Sequence, residues 1–446
     1  MTARPSTVHM PAARDSRPRR CGAARQGGAA TLVVVLVLFF IVALVAAYTT
    51  RNLIFEQRTS ANQYRSTQAF EAAEAGLEWA LTMLNSGRID ASCVPHVDPT
   101  TTDDTFRQRY LSIASDTGVV AARTRSGGEP LRPACVFDGS DWQCSCPGDD
   151  APTLAAPSGP GPSPAFVLRF VSDPAYPPGV VRIESTGCTR LDAGEVCSGN
   201  VDDGDSLSRT TILAALRSAA VTTPVAAVTA RGNLGLGSDM LVAANREIAA
   251  GGFTLHVGRA LTGTPRALYG PPGTPPAQTI VDEPDTGPMA ALTTDRMFAS
   301  AFGMGKDTYR LQPATVTLDC ALDCTAAKVR DTARLNPGRM LWIAGDLVLD
   351  TDDPIGSATE PVLLAVTGNV AVASTTSAEV HGLVYVMGDT LDNGNALVLR
   401  GALVGEDNLG FAGGGTTTVD YGSDLLRRLR TTHGSFVRVP GSWRDF

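Results

Sequence analysis

Nine cysteines and five histidines are the side chains best able to bind metal or form covalent links in this 446-residue chain. The cysteines are Cys21, Cys93, Cys135, Cys144, Cys146, Cys188, Cys197, Cys320 and Cys324. Structural zinc sites bring four ligands together at characteristic spacings. The close pairs here (Cys144 with Cys146, Cys320 with Cys324, Cys188 with Cys197) follow no finger pattern, and His96, His256, His381 and His433 are scattered. Disulfides are the expected chemistry. Without Cys21, eight cysteines remain, an even number suited to an oxidising compartment. Cys188 with Cys197 and Cys320 with Cys324 are the expected local pairs, although the shorter loop is sterically demanding to close.

The acidic clusters are weaker signals. "VDDGDS" carries Asp202, Asp203 and Asp205 but lacks the trailing glutamate of a calcium loop, so a polar turn is expected. "DTDD", with Asp350, Asp352 and Asp353, resembles a carboxylate pair only by proximity, since acid–base pairs are set by spatial neighbours. Gly-x-Ser-x-Gly, His-Glu-x-x-His and Walker motifs are absent from the sequence. The expectation is a non-enzymatic protein with no metal and no cofactor.

Charge narrows the partners. Arg4, Arg14, Arg17, Arg19, Arg20 and Arg25 crowd the first 28 residues beside one acid, Asp15. Removing them from the 37 basic and 45 acidic residues leaves 31 and 44, a net of −13. Such a body does not suit nucleic acid, whose phosphates require a clustered basic face.

From Ala29 to Tyr48 no charge or proline occurs, a run long enough to span the ~30 Å hydrocarbon core as a helix. The basic leader before it places the N-terminus in the cytoplasm and the rest outside. A secretory apolar region is usually only about 7 to 15 residues, so this one is expected to be an anchor as well as a signal; the alternative is conventional cleavage near Ala46-Ala47. Helical spacing continues beyond the lipid at Phe70, Ala73, Leu77, Ala80, Leu81 and Leu84, and the first helix breaker after the run is Gly76. One continuous helix over residues 29–85 is therefore expected, with two separate helices as the alternative.

The glycine-ended basic leader, the apolar helix and "RNLIFEQRTSANQYRSTQAFEAAEAGLEWAL" together resemble the N-terminal region of PilX-type minor pilins of type IV pili. The resemblance covers residues 25–90 and is densest at "AFEAAEAGLEWAL". It implies a prepilin peptidase cutting between Gly28 and Ala29. In major pilins the fifth mature residue is a glutamate that neutralises a neighbour's N-terminal amine; here that position holds Val33. An unpaired buried amine is costly, so such a subunit suits the first place in a fibre better than a repeating one. The implied partners are other minor and major pilins, the peptidase, an inner-membrane assembly platform and a surface receptor. The implied location is the inner membrane with an exported, periplasmic domain, then the pilus tip or cell surface.

The expected fold class is α+β: a long N-terminal transmembrane and amphipathic helix, an antiparallel pilin-like sheet and a C-terminal β-rich region. The expected divisions are a leader (1–28), the helix (29–85, transmembrane to 48), a pilin-like domain with a cysteine-containing insert (86–220) and a β-rich domain (221–446). "AFVLRFV", "GVVRIES" and "RTTILAAL" alternate as strands, whereas the proline-rich "APTLAAPSGPGPSP" ends a loop-rich insert or linker. Downstream, "MLWIAGDLVLD", "LLAVTGNVAVAS", "LVYVMGDTLDNG" and "ALVGEDNLGFAGG" repeat an apolar strand before Gly-Asp, Gly-Asn or Gly-Glu, at intervals of 23, 20 and 17 residues. That spacing suits the coils of a parallel β-solenoid, with glycine at corners needing positive φ; an antiparallel sandwich is the rival. "VTARGNLGLGSDM" reads as an earlier coil, separated by an insertion around residues 260–338. The functional expectation is a minor pilin that primes or caps pilus assembly and displays a large β domain for adhesion. The alternatives are a minor pseudopilin of type II secretion or a membrane-anchored, polysaccharide-active β-helix protein.

Overall fold

A computed structural model describes residues 28–157, 163–191, 196–197, 205–237, 240–283, 287–320 and 324–445. The apolar run and its amphipathic continuation form one uninterrupted helix, α1 (Gly28–Leu84). Its first part, "TLVVVLV", is rich in β-branched residues that are mediocre helix formers in water; in lipid the helix is enforced because every backbone polar group must be satisfied within the segment. The chain divides into two units, one ending at Asn62 and one running from Gln63. In the first, Phe39, Phe40 and Phe55 are exposed.

The second unit begins with the last turns of α1, which lie on an antiparallel sheet. Its strands run in the spatial order Gly434–Arg438, Leu207–Ser218, Val180–Cys188, Ala165–Val171, Ala134–Phe137 and Trp142–Ser145. The alternation of "AFVLRFV" becomes alternating burial as expected, with Phe166, Leu168 and Phe170 turned inward. Two strands come from the stretch expected to be insert or linker. Cys135 pairs directly with Cys144, and this hairpin extends the sheet beyond Ala165–Val171. The outermost strand on the other side comes from the end of the chain, where Gly434 pairs with Ser218, 216 residues earlier.

The repeat region pairs in parallel, as a solenoid requires and an antiparallel sandwich does not. Strands Thr315–Asp319, Met340–Ala344, Val362–Val366 and the second halves of Ser377–Val386 and Ala396–Gly405 lie side by side. The strands that follow each of them, such as Leu347–Leu349, Val370–Val372 and Thr390–Asn393, form a second parallel sheet. The first halves of the two long strands, with Thr416–Tyr421 and Leu241–Ala244, make a third face.

Two corners explain the repeated residues. Where the first face turns into the second, Asp346 Oδ1 accepts the Asn369 N–H at 2.7 Å, and Asn369 Oδ1 accepts the N–H groups of Asp389 and Thr390 at 3.1 Å. Each side chain thus satisfies the backbone of the next coil. Gly345 has the expected positive φ, but Gly368 and Gly388 are needed for a different reason: a Cβ there would stand 2.8 Å from Gly345 O and 2.4 Å from Gly368 O respectively. At the other corner Gly382 and Gly401 bend the long strands at φ +147° and +138°.

The order of coils departs from the order of the sequence. Strand Ala226–Ala230 pairs with Leu403–Gly405, so the first coil stacks on the last. Asn408 Oδ1 accepts the Asn233 N–H at 2.9 Å, and Arg231 pairs with Asp407, continuing the corner ladder across this closure. The chain then winds outward through Phe253–Val257 and Ile280–Asp282. A short helix, α2 (Phe106–Tyr110), lies beside the antiparallel sheet, and the chain crosses to the far end of the coils through α3 (Thr294–Phe302) and α4 (Lys306–Arg310). The region around 260–338 is therefore not a simple insertion, since it supplies strands to both ends of the stack. Phe298, Phe302 and Tyr309 cover Trp342 and Tyr385, which is why these coil strands are apolar on both faces. Helices α5 (Ala326–Leu335) and α6 (Ser423–Thr432) complete the unit.

Gly382→Ala places a Cβ 1.8 Å from Val362 O at positive φ, and should lower unfolding free energy by at least about 2 kcal/mol. Gly414→Ala, with nothing within 4 Å, should change it little in the same denaturant titration.

Candidate functional site

The seat of α1 on the sheet is made of small residues. Ala69, Ala72, Ala73, Gly76 and Ala80 are buried along one side of the helix. A Cβ on Gly76 would stand 2.3 Å from Ser185 Oγ and 2.9 Å from Phe166, so the residue read as a helix breaker lets the helix approach the sheet. The sheet answers with Gly187, where a Cβ would meet Ala69 O at 2.1 Å and the Ala73 N at 2.4 Å. Dispersion over such a contact is lost quickly with separation. Larger side chains flank it: Trp79 meets Phe106 edge-on at 5.4 Å and Phe166 at 5.6 Å.

The C-terminal tail clamps the other side of the same helix. Trp443 Nε1 donates to Glu74 Oε1 at 2.6 Å, and its ring meets Phe70 at 6.3 Å. Arg438 pairs with Glu78 at 3.3 Å. At the helix end Asn85 both donates to Phe436 O and accepts the Phe436 N–H, taking the place of a strand partner. None of these tail contacts is signalled by local sequence pattern, because their partners lie over 350 residues apart.

Arg107 joins the helix, the sheet and the coils. It is 4% exposed, and its guanidinium donates to the carbonyls of Leu84, Gly338, Thr432 and Gly434. Burial, with the nearby Arg339 charge adding, lowers its pKa to about 9. Arg88 forms two 3.1 Å hydrogen bonds to Glu360 across the same junction. His433 Nε2 donates to Pro361 O at 2.8 Å, and burial depresses the imidazole to about 4, leaving it neutral at physiological pH.

The expected site residues fall into separate places. Gly28 opens α1, and Ala29 and Val33 lie in its exposed first turns, Val33 at 58% exposure. The eight cysteines after residue 28 are all joined: Cys93 to Cys146, Cys135 to Cys144, Cys188 to Cys197 and Cys320 to Cys324. The long link between Cys93 and Cys146 ties the loop after α1 to the end of the hairpin, a pairing that spacing alone did not single out. Asp202 and Asp203 lie outside the described residues.

The other candidate groups hold structural contacts. Asp350 accepts the Ala326 N–H that opens α5, Asp352 accepts the Ser377 N–H, and Asp353 pairs with Arg330. His96 bonds Asp103 at 2.6 Å, His256 bonds Glu283 at 2.9 Å, and His381 lies 3.1 Å from Glu379. These pairs are spread over the unit. Among the described residues no group of three or more His, Cys, Asp or Glu is placed to hold a metal ion.

The family model described as PilX N-terminal matches residues 27–78. That match covers the start of α1 and most of its seat on the sheet. Among solved structures the chain is similar to the competence-associated pilin ComZ from Thermus thermophilus, at 12% identity and a TM-score of 0.20 over 86% of this chain and 98% of that one. No curated protein matches the chain.

Gly187→Ala should force the helix from its seat and destabilise the second unit by about 1–3 kcal/mol, read as a lower midpoint in chemical denaturation. Gly148→Ala, which meets nothing within 4 Å, is the matched control.

Proposed function

We propose that this protein is a non-enzymatic minor pilin that primes or caps a type IV pilus and displays a large exported β domain. The observation that carries the reading is a single 57-residue helix whose first part is apolar and exposed and whose last turns are core. No break separates the exposed apolar part of the helix from the turns over residues 69–84 that pack in the core. The apolar part passes by length and hydropathy as a membrane span. On this reading prepilin peptidase cuts between Gly28 and Ala29, and the exposed apolar helix passes from the inner membrane into contact with other pilins.

The place in the fibre follows from Val33. A repeating subunit without a carboxylate there leaves the next amine uncompensated in an apolar environment, a cost avoided by a subunit used once at the end. We take residues 86–220 as the pilin-like head and 221–446 as the displayed domain, with the final strand returning to the head. The parallel coils set this domain apart from the helix-rich head expected of a type II pseudopilin. A polysaccharide-active reading finds little support, because the histidines and the "DTDD" carboxylates already hold structural partners.

Deletion of the gene should reduce the number of surface pili, and gold-labelled protein should be scarce and terminal on sheared fibres. Labelling along the shaft would contradict the terminal position. Normal piliation with impaired attachment would replace priming by adhesion.

A further inference from the structure

A cavity of about 310 Å³ opens where α2, the turn at Pro337–Gly338 and α6 meet. Arg107, Arg123 and Arg428 line it, and the carboxylate on its wall is Glu360. Both Glu360 oxygens are already held by Arg88, and Oε1 also accepts from Gln108 at 3.3 Å. Arg107 donates only to carbonyl oxygens. Neither Arg123 nor Arg428 has a side-chain hydrogen bond or ion pair to another described residue.

Three guanidiniums thus surround one space with a single, already engaged carboxylate. This is unusual in a chain whose formal net charge is −8. The field of the cluster is felt at His433, where the charges of Arg107 and Arg428 add to burial in disfavouring the protonated ring. Arginine's planar fork matches carboxylate and phosphate oxygens, and charge-assisted bonds of this kind are stronger than neutral ones.

We propose that this cavity binds a small oxyanion, a carboxylate or phosphate group, held by Arg123 and Arg428 with the buried Arg107 charge behind them. The oxyanion compensates the cluster and ties α2 of the head to α6 and the turn at Gly338. Arg123 is exposed, so the ligand enters from its side. His433 is already neutral well below physiological pH and adds no positive charge to the cluster.

The test is isothermal titration of the full chain in a neutral maltoside detergent, with inorganic phosphate and, separately, with glutarate. At least one probe should bind saturably at one site per chain. Arg123→Gln and Arg428→Gln should each weaken it by about tenfold or more, the loss expected for one charge-assisted hydrogen bond. Arg427→Gln, on the same helix but paired with Asp424 and outside the cavity, should leave affinity unchanged. Binding of phosphate alone assigns the ligand to a phosphate source, and binding of glutarate alone to a protein carboxylate. As a measurement that needs no variant, the bound probe should slow modification of Arg123 and Arg428 by an arginine-selective dicarbonyl. Absence of saturable binding by both probes, or unchanged affinity in both cavity variants, would overturn the proposal.

Discussion

The contact on which the rest depends is the approach of α1 to the sheet across Gly76 and Gly187. With a Cβ at Gly187 only 2.1 Å from Ala69 O, the two backbones have no room for any larger residue. That contact is made by the same helix, α1, whose first part is long and apolar enough to cross a membrane. A soluble domain hung from a separate membrane helix would tolerate changes in the connection. Here the helix supplies Leu77, Ala80 and Leu84 to the core that also holds Phe166, Phe170 and Ile183.

The coils solve a different problem. Parallel strands leave the corners as the places where backbone groups would go unpaired, and the Asp/Asn ladder supplies acceptors there coil by coil. Stacking the first coil on the last lets the chain enter mid-stack, close to the sheet it has just left, and return to that sheet at Gly434–Arg438. Arg107 stands where these paths converge, its charge dispersed over carbonyl oxygens rather than paired with a carboxylate.

Features with a local or periodic cause were legible in the sequence. The helix followed from an uncharged run and its 3.6-residue continuation, "AFVLRFV" from strict alternation, and the coils from Gly-Asp and Gly-Asn at regular intervals. What could not be read was set by contacts between distant residues. The Trp443 bond to Glu74, the pairing of Val228 with Leu403 and the link from Cys93 to Cys146 leave no periodic trace. Glycine was legible as a residue but not in its cause: Gly76 reads as a breaker and Gly388 as a positive-φ corner, yet both are required by close approach. Of the candidate site, the apolar helix has a cause in the local sequence, whereas the tail clamp and the Arg107 junction depend on a fold that brings remote segments together.

The proposal's central claim is that the apolar part of α1 is retained in the mature protein, continuous with the turns that pack in the core. Intact-mass measurement of protein extracted from membranes or fibres, without reduction, tests this most directly. The account predicts a chain beginning at Ala29, with Cys93, Cys135, Cys144, Cys146, Cys188, Cys197, Cys320 and Cys324 all oxidised. A mature chain beginning near Tyr48 would contradict it, since the apolar segment would then have served only as a cleaved signal.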